Sequence, residues 1–148
     1  MSNDAFSCRM AVLTEHDIAW ASFHGVLTVE ALGRAYARYK QLPGNGPTCD
    51  EIVDFRAADF TGIRTEDLVR IRTALAGGDG LNHGRSAMIV SGPLAYGLGR
   101  QIGSMTEYDL PVQRAIFETL AEALDWLRPG AASALLDAWE AADAVVHA

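Results

Sequence analysis

Asp54, Asp59, Glu66, Asp67 and His83 combine hard carboxylate oxygens with an imidazole, the residue types that could hold a divalent metal. Their spacing argues otherwise. No HxH, HExxH or DxDxDG pattern gathers them, and Glu66 and Asp67 suit the first turn of a helix, where negative charge meets exposed amides. Ser91, His24 and Asp54 supply the types of a nucleophile, a base and an orienting acid near strand ends. Val90 and Gly92 flank the serine, however, so the GxSxG elbow is missing. No nucleophile–base or acid–base pair stands out. The expectation is a non-enzymatic protein with no metal and no cofactor. His16, His24, His83 and His147 otherwise read as loop or terminal residues.

The stretch SAMIVSGPLAYGLGRQIG (86–103) raises phosphate binding, because glycines let backbone approach an anion. Gly92 and Gly97 have Walker A spacing, but Leu98 and Gly99 stand where Lys and Ser/Thr are required. The dinucleotide pattern GxGxxG, begun at Gly97 and Gly99, fails at Ile102. Ser91, Gly92 and Pro93 therefore read as a turn from a strand (86–90) into a helix (94–104), with proline in the first turn, where its missing N–H is harmless. Glycines inside that helix each cost about 0.5–1 kcal/mol relative to alanine, a cost that close packing on a sheet would offset. Tyr96 and Arg100 are four residues apart on this helix and share a face. With Tyr108 nearby, they could line a pocket or a surface for an acidic ligand or partner. The plainer alternative is a core tyrosine with an arginine lying across it.

These residues need elements to hold them. CRMAVL (8–13) and IAWASFHG (18–25) read as strands joined by the tight turn TEHD, an antiparallel hairpin. Thr28 caps a helix over TVEALGRAYARYKQL, with Val29, Leu32, Tyr36 and Tyr39 at helical spacing, until PGNGP stops it. EIVDF (51–55) is a short strand. TEDLVRIRTAL (65–75) is a helix capped by Thr65, closed by GGDG. VQRAIF (112–117) is a strand, and Thr119 with Glu122 forms a capping box for LAEALDWL. A last alanine-rich helix (131–146) carries Leu135, Leu136, Trp139 and Val146 toward one side. It could cover the domain's own sheet or serve as a homodimer face. Alternating strands and helices imply parallel pairing beyond the hairpin, in one α/β domain spanning 1–148.

Composition narrows the partners. The chain has 148 residues, 49% of them hydrophobic, and a net charge of −7, with no basic run. That balance disfavours nucleic acid and anionic membrane surfaces. No apolar stretch reaches the roughly 20 residues needed to span a bilayer. The opening MSNDAFSCRMAVL lacks the basic-then-apolar pattern of a leader, and two cysteines, Cys8 and Cys49, suit unpaired thiols in a reducing cytoplasm.

Taken together, GVLTVEAL (25–32), IVDF (52–55), DFTGI (59–63), RSAMIV (85–90), RAIF (114–117) and EALDWL (122–127) resemble the SpoIIAA-like family, grouped with STAS domains and, by fold, with SEC14-type lipid-binding domains. The likeness covers about 8–128 and leaves the final helix outside. It implies a STAS-like mixed sheet of about five strands flanked by helices. It also implies a regulatory or ligand-sensing role: a module that binds a protein partner or, alternatively, a small carrier enclosing an apolar, lipid-like molecule. Members of the wider STAS group carry a phosphorylatable serine in a DSSG-like motif after the middle strand. Here RAADFTGIRTED follows IVDF, and Thr61-Gly62 is the one hydroxyl–glycine pair. The resemblance thus points to Thr61 as a phospho-switch, with Arg56, Asp59, Gly62, Tyr96 and Arg100 as a candidate ligand or partner surface. Against this, threonines in such places commonly serve turns and caps.

Overall fold

The computed structural model describes residues 5–76, 84–93, 96, 97, 100 and 113–148. Two strands, β1 (Ser7–Leu13) and β2 (Ile18–Val26), pair antiparallel across the turn at residues 14–17, where Asp17 takes a positive φ of 55°. Helix α1 (Val29–Lys40) starts at Thr28, whose hydroxyl accepts the Ala31 N–H at 3.1 Å. Then come β3 (Asp50–Asp59), α2 (Asp67–Ala76), β4 (Arg85–Ile89) and β5 (Gln113–Phe117). Helix α3 (Leu120–Leu127), capped by Thr119, α4 (Ala132–Ala141) and β6 (Val145–His147) complete the chain.

The sheet runs β5-β4-β3-β2-β1-β6, with β2 to β5 mutually parallel and β1 antiparallel to both neighbours. Period-2 alternation sorts side chains to two faces. On one face Cys8, Met10, Ala19, Ala21, Phe23, Phe55 and Val90 pack under Leu32, Ala35 and Tyr39 of α1 and Leu68 and Ile71 of α2. Both crossovers advance in one direction across the sheet, so right-handed connections put both helices on that side. On the other face Leu13, Ile18, Trp20, Ile52, Ala87 and Ile89 pack under Leu124 and Leu127 of α3 and Leu135 of α4. The chain is thus an α/β sandwich of helix, sheet and helix.

Several sequence expectations shift. Six strands form, because the last helix ends at Ala141, Ala142 turns extended (φ −66°, ψ 141°), and Val145–His147 pairs with Cys8–Met10. Val146 therefore leaves the apolar stripe and stands 70% exposed, and His147 sits in a strand. The strand expected over 51–55 runs on to Asp59, carrying Arg56 and Asp59 with it. Helix α2 starts two residues later than expected; the Asp67 carboxylate accepts the Arg64 N–H at 2.9 Å there. Pro93, Tyr96, Gly97 and Arg100 are helical, and the Tyr96 N–H reaches the Gly92 carbonyl at 3.0 Å, which makes Ser91-Gly92-Pro93 the strand-to-helix turn. Gly92 takes a φ of 84°, open only to glycine without strain. Close packing does not explain Gly97, where an added Cβ would meet nothing within 4 Å. Gly99, Gly103, His83, Tyr108 and the rest of that helix lie outside the described residues.

The question of what α4 covers has an answer within the chain. Trp139 stacks on Trp20 of β2 at 4.5 Å and 6°, and the Arg9 guanidinium lies 3.9 Å from the Trp139 ring while donating to the Trp139 carbonyl at 2.9 Å.

Candidate functional site

The residues singled out from sequence collect where β3 leaves the sheet. The β2–β3 register shifts between Ser22 and His24, so β3 carries an extra residue opposite Phe23. Such a bulge bends a strand and re-aims its side chains. Asp54 holds it closed. Its carboxylate, 8% exposed, accepts the Arg56 backbone N–H at 3.0 Å and the Arg56 guanidinium in bidentate fashion at 3.0 and 2.7 Å. That bond pushes the Arg56 guanidinium up from its ordinary range. The Ser91 hydroxyl donates to the Arg56 carbonyl at 3.2 Å, tying the β4–helix turn to the bulge. Asp54 and Ser91 are therefore each engaged with Arg56.

Beyond the bulge, Asp59 organises the turn that leads to α2. Its carboxylate accepts both the N–H of Thr61 at 2.9 Å and the Thr61 hydroxyl at 2.6 Å, an Asx-type turn. The hydroxyl bond, then the amide bond, hold the Asp59 carboxyl below its ordinary value. Thr61 and Gly62 are exposed. Next to them an open groove of about 300 Å³ separates the N-terminal ends of α1 and α2, lined by Thr28, Glu30, Gly62, Arg64, Asp67 and Arg70 among others. Its charges neutralise one another: Arg70 meets Glu30 at 2.9 Å and Asp67 at 3.6 Å, and Arg64 meets Glu66 at 4.0 Å. The bond from Arg70 holds the Glu30 carboxyl below its usual range. All but Asp67 are well exposed, so each pair contributes little to stability and is free to exchange partners.

The metal-like acids are likewise spoken for one by one, and among the described residues no three His, Cys, Asp or Glu converge on a common point. Tyr96 is half-buried against the α1-side core, whereas Arg100 is exposed. The structure thus holds Arg56 at the bulge with Asp54, joins Asp59 to Thr61 in the turn beyond it, leaves Gly62 on the groove, and packs Tyr96 against the core.

Two polar clusters escaped sequence reasoning, both toward the other end of the parallel strands. Asp50 accepts the Arg85 N–H at 2.6 Å and the Arg128 guanidinium at 2.6 Å, while Arg128 also reaches the His16 carbonyl at 2.8 Å. Arg85 donates to the Trp126 and Leu127 carbonyls at 2.9 and 2.6 Å, a cation at the C-terminal end of α3. Gly84 permits this approach, since a Cβ there would stand 2.8 Å from the Cys49 carbonyl. The second cluster is Glu51, buried on the α1 face, whose carboxylate accepts the Ser86 hydroxyl at 2.7 Å and the Tyr39 hydroxyl at 3.0 Å. A glutamate directly before the apolar pair Ile52-Val53 was the signal available.

The architecture has a solved counterpart. A crystal structure of an uncharacterized DUF3478-family protein with a SpoIIAA-like fold, from Shewanella loihica PV-4, superposes with a TM-score of 0.54 at 21% identity, covering 86% of this chain and 98% of that one. This chain has a SpoIIAA-like fold. The mixed sheet flanked by helices is the arrangement that the sequence resemblance implied, with six strands instead of about five, while the leading hairpin and the added C-terminal helix were read from the residues themselves. No sequence-family profile and no curated protein matches the chain. Among the described residues no helix is long and apolar enough to cross a membrane.

Proposed function

We propose that this SpoIIAA-like protein is a non-enzymatic regulatory module that binds a protein partner through the β3–α2 turn and the adjoining ends of α1 and α2. The observation that carries this reading is the open groove lined by Gly62, whose chain neighbour Thr61 is exposed and tethered to a carboxylate. Its paired but exposed charges can be re-partnered by an incoming surface at little cost. Val69 of α2, 57% exposed, adds an apolar contact on the same helix.

Thr61 is a chemically reasonable switch in this setting. A phosphoryl group on its oxygen would add up to two negative charges beside the Asp59 carboxylate that the hydroxyl now bonds. Like charge would then force the turn apart and change the surface offered to a partner.

Gly62 offers a test, because a Cβ there meets only the Leu27 carbonyl at 3.9 Å and a large side chain would project over the groove. Affinity capture with the wild type and with Gly62→Trp, both folded by circular dichroism, should retain a partner on the first and lose it on the second. Identical capture by both would refute the surface. The carrier alternative predicts instead a co-purified lipid mass in the native mass spectrum.

A further inference from the structure

We propose that the sheet face under α1 binds a small organic monocarboxylate, with Arg114 of β5 as its anchoring cation. Glu51, Ser86 and Arg114 are successive register partners on β3, β4 and β5, and alternation places all three on the α1 face. Both oxygens of Glu51 are taken, by the Ser86 and Tyr39 hydroxyls. Arg114 is different. It is half-buried, its Nε is shielded from solvent, and that atom meets no acceptor among the described residues.

An Nε–H shielded from water without an acceptor is costly, and native proteins nearly always pair such groups. The planar fork of a guanidinium matches a carboxylate two bonds at a time. Tyr36 lies in the same region: burial and Glu51 push its phenol up, while the charge of Arg114 pulls it down. Two residues further along the strands, Met88 and Ile116 are register partners that pack into the α1-side core. They would give an apolar floor to the body of such a ligand. Glu51 stands two strands away, roughly 10 Å at ordinary strand spacing, which disfavours a dianion such as phosphate more than a monoanion. This site lies toward the opposite end of the parallel strands from the β3–α2 turn, so it stands or falls independently of the partner surface.

Thermal melts of the full chain test it, with sodium acetate, butyrate, octanoate and phosphate at matched ionic strength as probes. A carboxylate should raise the wild-type Tm progressively with concentration, as a ligand of the folded state must. Arg114→Met should abolish that rise while melting, without probe, no lower than the wild type, because it removes the unsatisfied Nε–H and keeps the apolar stem. Tyr36→Phe should weaken the rise and leave part of it. A response confined to octanoate identifies a lipid-derived acid, and a response to butyrate as well identifies a small metabolite acid. The proposal is overturned if no carboxylate raises the wild-type Tm, if phosphate acts as strongly, if Arg114→Met keeps the rise, or if that variant melts well below the wild type without probe.

Discussion

Raising the pH should destabilise this protein through its two thiols in a way that can be calculated. Cys8 and Cys49 have no exposed surface, and burial pushes both thiols up from 9.0 to about 12. A folded-state value above the unfolded one means that the contribution to stability is complete below about pH 9 and is lost as pH climbs toward 12. At pH 8 the loss is under about 0.1 kcal/mol per thiol; at pH 10 it reaches about 1.4, or nearly 3 kcal/mol for the pair. Urea unfolding at pH 8 and pH 10 measures this directly, with Cys8→Ala/Cys49→Ala as the control. The double variant starts less stable because it lacks packed sulfur, but it should be spared the additional fall. Tyr39, whose phenol is raised chiefly by burial and Glu51, is present in both proteins, so the larger part of its contribution cancels. Equal losses in the two proteins would refute the reasoning. The functional corollary is that burial favours the protonated form of both thiols at pH 7.

Four other outcomes are expected. Thr61→Val should let the Asp59 carboxyl rise toward 3.8 in an NMR titration, because the hydroxyl bond is the main influence holding it down; an unchanged titration would mean that the bond does not form in solution. Trp139→Ala should cost about 3 kcal/mol in urea unfolding, since it strips the stack on Trp20 and the ring beneath Arg9; a loss under about 1 kcal/mol would mean that α4 does not clamp the sheet. Gly84→Ala should cost about 1–3 kcal/mol by pressing a methyl on the Cys49 carbonyl. Gly97→Ala, in open helical surroundings, should stabilise by about 0.5–1 kcal/mol, and thermal melts of the two variants should therefore move in opposite directions.

The fold was largely legible because its signals are local. Apolar runs in β1 to β4 and the threonine caps at Thr28 and Thr119 report directly on backbone conformation, and the structure bears them out. Proline after Gly92 did the same for the helix start. What local signals could not show was pairing at a distance. β6 exists because a short valine pair finds the free edge of β1 more than a hundred residues away, and its sequence reads equally well as the end of a helix. Glu51 and Arg114 looked like ordinary charges until register aligned them across Ser86. For the site, the resemblance directed attention to the turn after β3, and the Asp59–Thr61 bond there is a local Asx pattern. The bulge that carries Arg56 is a two-strand property, invisible along one strand.

The three-residue latch formed by β6 has a consequence for solution behaviour. Its pairing with Cys8–Met10 closes nearly the whole length of chain into one loop, a contact that forms late and opens early. Each opening bares backbone donors and acceptors along β1, a strand continuous with the core, and bared strand edges recruit other chains. Concentrated stocks warmed short of global melting should therefore associate through β1, and a disulfide stapling the latch shut would suppress that oligomer growth.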